Sequence, residues 1–203
     1  MRMRNPKDKD EVLNSCEFYY CGEEDYIENK KTALEIGMGK GDFILGMAKA
    51  FSSINFIGVE KYSAVASVAI KKIREENLEN LKVLVSDIVD VQDLLKNSID
   101  VIYLNFSDPW PKDRHAKRRL THVNQLQLYD TLFKGDAEIF MKTDNDDLFA
   151  YSVESFKDYG YEIIEISYDL HSTDNFNVIT EYESKFSEKG VKIKFVHVKK
   201  LKR

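Results

Sequence analysis

Asn105 and Asp108 lie in a short segment rich in proline and aromatic residues, with the sequence NFSDPWP. Pro109 and Pro111 restrict the backbone immediately after the carboxylate and on either side of Trp110. A carboxylate held next to an aromatic ring is suited to a reaction centre, because a charge that is fixed in advance can stabilise charge that develops on a substrate. We therefore predict that this segment carries the chemistry of the protein.

A dense run of positive charge follows this segment directly. Its members are Lys112, Arg114, Lys117, Arg118 and Arg119. Clustered arginines are suited to phosphate, which accepts two parallel hydrogen bonds from one guanidinium group. The net charge of −5 argues against a nucleic-acid partner, but residues 136–183 are mainly acidic and residues 185–203 mainly basic, and local potential can still steer a polyanion. The predicted substrate is a planar group attached to a polyphosphate, with RNA favoured.

Length and composition bound the possible folds. A chain of 203 residues with 43% hydrophobic and 12% aromatic residues can form one sizeable domain with a packed core. We expect a basic N-terminal arm over residues 1–31 and a single domain over residues 32–203. No apolar run approaches the ~18 residues of a membrane-spanning helix, and Cys16 and Cys21 do not indicate a disulfide scaffold. These features favour a cytoplasmic protein, and the four scattered histidines predict no metal site.

Apolar runs and helical periodicities alternate along the chain. The predicted strands are Thr32–Gly37, Asn55–Glu60, Leu81–Ser86, Ile99–Phe106, Ala137–Lys142, Tyr161–Tyr168 and Lys192–Val198. The predicted helices are Asp42–Phe51, Ser63–Glu76, Leu120–Phe133 and Asp146–Tyr159. This alternation predicts an α/β fold with a doubly wound, seven-stranded and mostly parallel sheet, helices on both faces and a late antiparallel addition. Ligands of such sheets bind outside the carboxyl ends of the strands, so the residues there are candidate site residues.

The first predicted strand leads into a glycine loop, in which Gly37, Gly39 and Gly41 alternate with other residues. Glycine lets the backbone turn tightly and lets a ligand approach main-chain N–H groups. The spacing differs from the G-x-G-x-x-G dinucleotide fingerprint, and a plain turn between strand and helix is the alternative. Glu35 lies inside the strand just before the loop, where a carboxylate needs a partner. It therefore either meets a backbone donor or faces a cationic ligand.

Two further acids follow the next strands. Glu60 ends the second predicted strand, where an acid can accept both hydroxyls of a ribose. Asp87 follows the third, where it can accept from the amino group of adenine. Each acid could instead cap a helix or lie in a solvated loop. Together with the glycine loop, they are consistent with a pocket for an adenine nucleoside.

The segment GMGKG, followed by Glu60 and Asp87, resembles the cofactor site of class I S-adenosylmethionine methyltransferases. The strings SDPWPKDRHAKRRL, KTDN and TEYE resemble the bacterial tRNA (guanine-N7-)-methyltransferase family, and the resemblance covers nearly the full chain. It implies a Rossmann-like fold with one antiparallel strand near the C-terminus. It also implies S-adenosyl-L-methionine as the cofactor and tRNA as the partner.

The resemblance assigns roles to individual residues. The implied cofactor contacts are Glu35, Gly37, Gly39, Gly41, Glu60, Asp87, Asn105 and Asp108, and Asp108 is also the implied catalytic residue. The implied substrate contacts are Lys112, Asp144, Thr180, Glu181, Tyr182 and Glu183. The implied RNA contacts are Arg114, His115, Lys117, Arg118 and Arg119.

The implied reaction transfers a methyl group to N7 of a guanine in the tRNA variable loop, at nucleotide 46 in tRNA numbering, giving 7-methylguanosine. Guanine N7 carries no proton, so we expect Asp108 to stabilise charge and orient the base rather than abstract a proton. Trp110 or Phe106 is expected to stack on the base. The alternatives are methylation of another base or planar amine, and non-catalytic RNA binding. We expect no membrane association and no obligate protein partner, and either a monomer or a homodimer.

Overall fold

Seven strands form one sheet in the part of the chain that the computed structural model describes, residues 6–14 and 30–202. They are β1 (Lys31–Ile36), β2 (Ile54–Val59), β3 (Leu81–Leu84), β4 (Val101–Asn105), β5 (Ala137–Thr143), β6 (Glu162–Ser167) and β7 (Lys194–Lys200). The strand order is β3-β2-β1-β4-β5-β7-β6, and β7 runs antiparallel to both of its neighbours. The predicted doubly wound sheet with a late antiparallel addition is therefore confirmed.

Six α-helices accompany these strands among the described residues. They are α1 (Lys9–Asn14), α2 (Asp42–Ala50), α3 (Ser63–Glu76), α4 (Val123–Leu132), α5 (Asp146–Asp158) and α6 (Glu181–Ser187). In the described part of the chain, no helix meets the length and hydropathy of a membrane span, since even α3 has only 14 residues. The helix α1 lies inside the predicted arm, whose residues 15–29, including Cys16 and Cys21, lie outside the described part of the chain.

Several boundaries differ from the prediction for local reasons. The helix predicted from Leu120 begins only at Val123, because the side chain of His122 accepts a hydrogen bond from Asn124 N and caps it. Before it, Asp113–Arg118 forms a 3-10 helix, which the periodicity did not predict. The helix α6 was also missed, although the spacing of Thr180 and Glu183 is typical of a capping box.

The chain forms two compact units, and the boundary between them lies between Leu95 and Lys96. In the first unit, β1, β2 and β3 pair in parallel. Gly58 of β2 lies where a Cβ atom would come within 2.3 Å of Met38 Sδ, so any larger residue there would require the Met38 side chain to move. Asn80 donates through Nδ2 to the carbonyl oxygens of Ala48 and Phe51, which are left without helical partners where α2 ends.

In the second unit, β4 pairs in parallel with β5, and β7 lies between β5 and the edge strand β6. Tyr129 and Leu132 of α4 and Phe156 of α5 are fully buried, and they supply much of the apolar core of this unit. Both ends of β7 are tied to helices by charge, because Lys200 pairs with Asp130 of α4 at 2.6 Å and Lys194 pairs with Asp146 of α5 at 2.8 Å.

A buried ion pair joins β5 to α6 in the second unit. Lys142 is 3% exposed and Glu183 is completely buried. Lys142 Nζ donates to Glu183 Oε2 at 2.6 Å, to Asn177 Oδ1 at 2.8 Å and to Val178 O at 2.9 Å. All three ammonium protons therefore have acceptors. The sequence placed Lys142 at the end of a strand and in the KTDN string, but it did not predict this ion pair.

The carboxylate of Glu183 is equally well satisfied. Its Oε1 atom lies 2.7 Å from both His171 Nε2 and Asn177 Nδ2, while Oε2 accepts from Lys142. Burial raises the pKa of Glu183, but the charge of Lys142 and these hydrogen bonds outweigh burial and hold the pKa below its ordinary value of 4.5. Glu183 is therefore ionised, and its ion pair fixes the segment that leads from Leu170 into α6.

Replacing one member of this pair should lower the free energy of unfolding far more than replacing both. Lys142→Met leaves a buried carboxylate without its counter-charge, and we expect the free energy of unfolding to fall by about 3–5 kcal/mol. The double variant Lys142→Met with Glu183→Leu should recover most of that loss, because no buried charge remains. Urea unfolding measures both changes, and a double variant that is less stable than Lys142→Met would contradict this assignment.

The same pair predicts how stability depends on pH. The folded-state pKa of Glu183 lies below 4.5, so its contribution is complete above that pH and is lost as the pH falls through the folded-state pKa. The free energy of unfolding should therefore decrease below about pH 4.5. We expect a shallower decrease for Glu183→Gln, with Glu154→Gln, an exposed change on α5, as the control. Equal slopes for the parent and Glu183→Gln would exclude this role.

Candidate active site

In the first unit, the loop after β1 is built from glycines that have left-handed backbone angles. Gly37, Gly39 and Gly41 have φ values of 77°, 58° and 76°. A Cβ atom on Gly37 or Gly39 would meet nothing within 4 Å, so this backbone borders open space that a ligand can enter. Gly41 differs, because a Cβ atom there would lie 3.0 Å from Ala69 Cβ on α3. The loop thus combines a helix contact with an accessible backbone.

Glu60 follows β2 directly and is tied to this loop. Its side chain is 6% exposed, its Oε2 atom accepts from Gly39 N at 3.1 Å, and its Oε1 atom accepts from Tyr62 N at 2.8 Å. Two backbone donors therefore fix the orientation of the carboxylate. Each oxygen has a second lone pair, so the group can also accept from a pair of ligand hydroxyls.

The other two predicted acids of the first unit have different settings. Glu35 lies within β1 opposite Gly58 of β2, and it is 2% exposed. Asp87 is half-buried beyond the end of β3, where Oδ1 accepts from Val89 N at 3.2 Å. Asp87 thus caps the turn that follows it. This capping occupies only one of its carboxylate oxygens.

In the second unit, the proline-rich segment follows β4 as a loop whose backbone is constrained. Asn105 is the last residue of β4, and Phe106 N donates to Lys142 O at 2.9 Å beyond the strand end. Phe106 and Trp110 have φ values of 49° and 42°, which non-glycine residues rarely adopt. Asp108 lies between them and is exposed. We call residues 106–111 the aspartate loop.

The basic residues after the aspartate loop divide into two groups. Lys112, Arg114, Lys117 and Arg118 are exposed, and the guanidinium of Arg118 lies 4.8 Å from the centre of the Trp110 ring. Arg119 is half-buried and turns back onto the loop. Its Nε atom donates to Pro109 O at 3.1 Å, and its Nη2 atom donates to Trp110 O at 3.0 Å. His115 meets the Trp110 ring edge-on at 5.8 Å.

The four residues of the TEYE string, residues 180–183, each make different contacts. Thr180 caps α6 by accepting from Glu183 N at 3.0 Å, Glu181 pairs with Lys185 on the surface of α6, and Glu183 is the buried partner of Lys142. Tyr182 alone faces the aspartate loop, since its ring centre lies 5.0 Å from that of Phe106.

Tyr182 also reaches the remaining predicted substrate residue, Asp144. The hydroxyl of Tyr182 lies 3.4 Å from Asp144 Oδ2, and the ring stacks on Phe186 at 4.5 Å. Partial burial, followed by the negative charges of Asp144 and Asp108, raises the pKa of Tyr182 to about 12. Tyr182 is therefore a neutral, 45% exposed aromatic side chain beside two carboxylates. Among the described residues, no group of histidine, cysteine or acidic side chains could hold a metal ion.

Solved structures with a similar fold are methyltransferases. An antibiotic-related methyltransferase matches with a TM-score of 0.62 and 17% identity, covering 99% of this chain and 97% of that one. A SAM-dependent methyltransferase from Aquifex aeolicus matches with a TM-score of 0.59 and 14% identity, covering 95% of this chain and 89% of that one. At these identities, the likeness shows the fold alone.

Relatives found by sequence have much higher identities to this chain than these structures have. Residues 29–196 match a family described as "Putative methyltransferase". The tRNA (guanine-N(7)-)-methyltransferase of Mycoplasmopsis agalactiae is 41% identical over 203 residues, which cover 98% of this chain and 99% of the relative. The enzyme of that name from Oceanobacillus iheyensis is 50% identical over 167 residues, which cover 81% of this chain and 78% of the relative. The chain therefore belongs to the tRNA (guanine-N(7)-)-methyltransferase family.

Proposed function

We propose that this chain transfers a methyl group from S-adenosylmethionine to N7 of a guanine in tRNA. The observation that carries the proposal is the identity of 41% along the full length of a relative named for this reaction. The proposed target is nucleotide 46 of the variable loop, in tRNA numbering, and the proposed location of the enzyme is the cytoplasm. The product would be 7-methylguanosine.

The residues of the first unit fit an adenosine-containing cofactor. The open backbone at Gly37 and Gly39 leaves room for a ligand, and the fixed carboxylate of Glu60 can accept from both ribose hydroxyls. Asp87 retains a free oxygen for an amino donor, and the buried carboxylate of Glu35 would face positive charge on the cofactor. Asn105 and Asp108 remain predicted cofactor contacts in the second unit. S-adenosylmethionine, when bound, supplies a methyl group activated by a sulfonium.

The chemistry assigned to Asp108 is electrostatic. Guanine N7 presents an in-plane lone pair without a proton, so no general base is required. The purine gains positive charge as it accepts a methyl group, and a carboxylate fixed beside the base stabilises that charge. The constrained angles at Phe106 and Trp110 support this role, because they limit how far the carboxylate between them can move.

Tyr182 is the aromatic side chain best suited to support the target base. It is half-exposed and neutral, and its hydroxyl and ring contact Asp144 and Phe106. The Trp110 ring already contacts the guanidinium of Arg118 and the ring of His115. It is therefore less available for stacking on a base than its position in the sequence suggests. We propose that Tyr182 stacks on the guanine, while Asp144 accepts from the polar edge of the base.

One assay distinguishes this function from its alternatives. Unmodified tRNA and labelled S-adenosylmethionine are incubated with the protein, and the product is digested and mapped. Label in 7-methylguanosine at nucleotide 46 supports the proposal. Label in another nucleoside indicates a different base specificity, and tRNA binding without transfer of label indicates a non-catalytic RNA-binding protein.

Removing the charge of Asp108 should abolish most of the transfer. For Asp108→Asn and Asp108→Ala, we expect the single-turnover rate to fall on the order of 100- to 1000-fold, the range for removal of one preorganised electrostatic group. Cofactor affinity, measured by calorimetry, should fall far less than the rate, and a loss as large as that of the rate would place Asp108 mainly in the cofactor site. Asp113→Asn, an exposed change five residues away, is the matched control. A near-parent rate for Asp108→Ala would make Asp108 structural only.

The exposed basic residues predict a salt effect on binding. Changing Arg114 and Arg118 to Gln should weaken tRNA binding and reduce the slope of log affinity against log salt by about 0.7–0.9 per lost phosphate contact. Filter binding over a range of salt concentrations measures this slope. Lys157→Gln, an exposed change on α5, should leave the slope as it is in the parent. An unchanged slope in the double variant would show that these arginines contact no phosphate.

A further inference from the structure

We infer that Arg119 positions the aspartate loop rather than binding phosphate, an inference that rests on the proposed methyl transfer. Its guanidinium donates from Nε to Pro109 O and from Nη2 to Trp110 O, at 3.1 Å and 3.0 Å. These atoms lie along one edge of the planar group and form a rigid fork. The basic cluster therefore contains an inward-facing arginine next to an outward-facing one, Arg118.

The two acceptors are significant because of where they lie. Pro109 O belongs to the peptide plane that precedes the Cα atom of Trp110, and Trp110 O belongs to the plane that follows it. One side chain thus holds both planes that define the backbone angles of Trp110. The φ value of 42° there is unfavourable for a residue with a side chain and persists only when its surroundings enforce it.

Few other groups can hold this backbone. Pro109 and Pro111 have no N–H group, so neither can donate a hydrogen bond that would stabilise the loop. A guanidinium is well suited to the task, because it satisfies two carbonyl oxygens at once. Asp108 precedes this clamped part of the chain directly, so the direction of its carboxylate depends on the clamp.

The guanidinium of Arg119 packs on an aromatic ring. Its central carbon lies 4.2 Å from the centre of the Tyr151 ring on α5, a cation–π contact. The backbone beside Arg119 is also anchored to α5, since Thr121 Oγ1 lies 2.7 Å from Ser152 Oγ and Thr121 O accepts from Ser155 Oγ at 2.5 Å. Arg119 therefore links the aspartate loop to a packed helix.

This arrangement separates the roles of two adjacent arginines. Arg118 is exposed and remains able to reach a phosphate, whereas the guanidinium of Arg119 already spans two carbonyl oxygens and an aromatic ring. Loss of Arg119 should affect the rate of transfer at saturating tRNA. Loss of Arg118 should affect the affinity for tRNA and its salt dependence.

The test compares Arg119→Gln and Arg119→Lys with Arg118→Gln. Single-turnover transfer is measured at saturating tRNA and S-adenosylmethionine, and tRNA affinity is measured over a range of salt. For Arg119→Gln we expect a rate loss on the order of 10- to 100-fold, because small misplacements of a catalytic group have effects of this size. Affinity and salt slope should match the parent. Arg119→Lys keeps the charge but loses the planar fork, so it should lose rate as well.

Two further measurements exclude a general folding defect. Tyr151→Leu removes the aromatic support without changing any charge, and it should show the same loss of rate with unchanged tRNA affinity. N-ethylguanidinium should restore part of the rate to Arg119→Ala, which a misfolded protein would not allow.

The outcomes separate this inference from the function on which it rests. A parent protein that transfers no methyl group overturns both. An active parent with an undiminished rate for Arg119→Gln overturns the inference alone. A reduced salt slope for Arg119→Gln together with a parent-like rate identifies Arg119 as a phosphate contact and likewise overturns it.

Discussion

Lys142 connects the aspartate loop to the segment before α6, and the positions of both in the second unit depend on it. Its backbone oxygen accepts from Phe106 at the start of the aspartate loop, and its ammonium group is shared among Glu183, Asn177 and Val178. One residue of β5 therefore fixes both the loop after β4 and the segment that leads into α6. A buried pair of this kind contributes only when each charge is fully satisfied. That condition is met here, so the pair specifies where Tyr182 lies relative to Phe106.

The conformation of the aspartate loop depends both on its own residues and on the residues that contact it. Its proline and aromatic residues set a backbone that is unfavourable alone, and its neighbours supply the contacts that maintain it. Arg119 faces inward and reaches the loop carbonyls, while Arg118 remains exposed. Positive charge thus serves an internal purpose at Arg119, and we propose that at Arg118 it is directed at a polyanion. Catalysis by position and fixed charge requires such rigidity, because reorientation of a carboxylate during the reaction would cost free energy.

The sequence was sufficient for the sheet, since buried strands and amphipathic helices have distinct periodicities. It also predicted a cofactor contact at Glu60, because an acid at the end of β2 is a recognisable position in this fold class, and that contact stays a prediction. It did not reveal that Lys142 is buried, because the partner of Lys142 lies 41 residues away in the chain. The inward turn of Arg119 was equally hidden, since charge alone does not distinguish a carbonyl from a phosphate. Helix α6 was missed because its buried residue is the charged Glu183, so no buried apolar stripe signals the helix and only its capping residues do.

We propose that the methyl group goes to N7, a ring nitrogen that carries no proton, with catalysis by position and fixed charge. Transfer to N7 is tested directly with a tRNA that has 7-deazaguanine at nucleotide 46, in which carbon replaces N7 and the rest of the base is retained. This tRNA should bind with an affinity close to that of unmodified tRNA and accept no methyl group in single-turnover assays. Methyl transfer to it at the rate seen with guanine would show that N7 is not the acceptor.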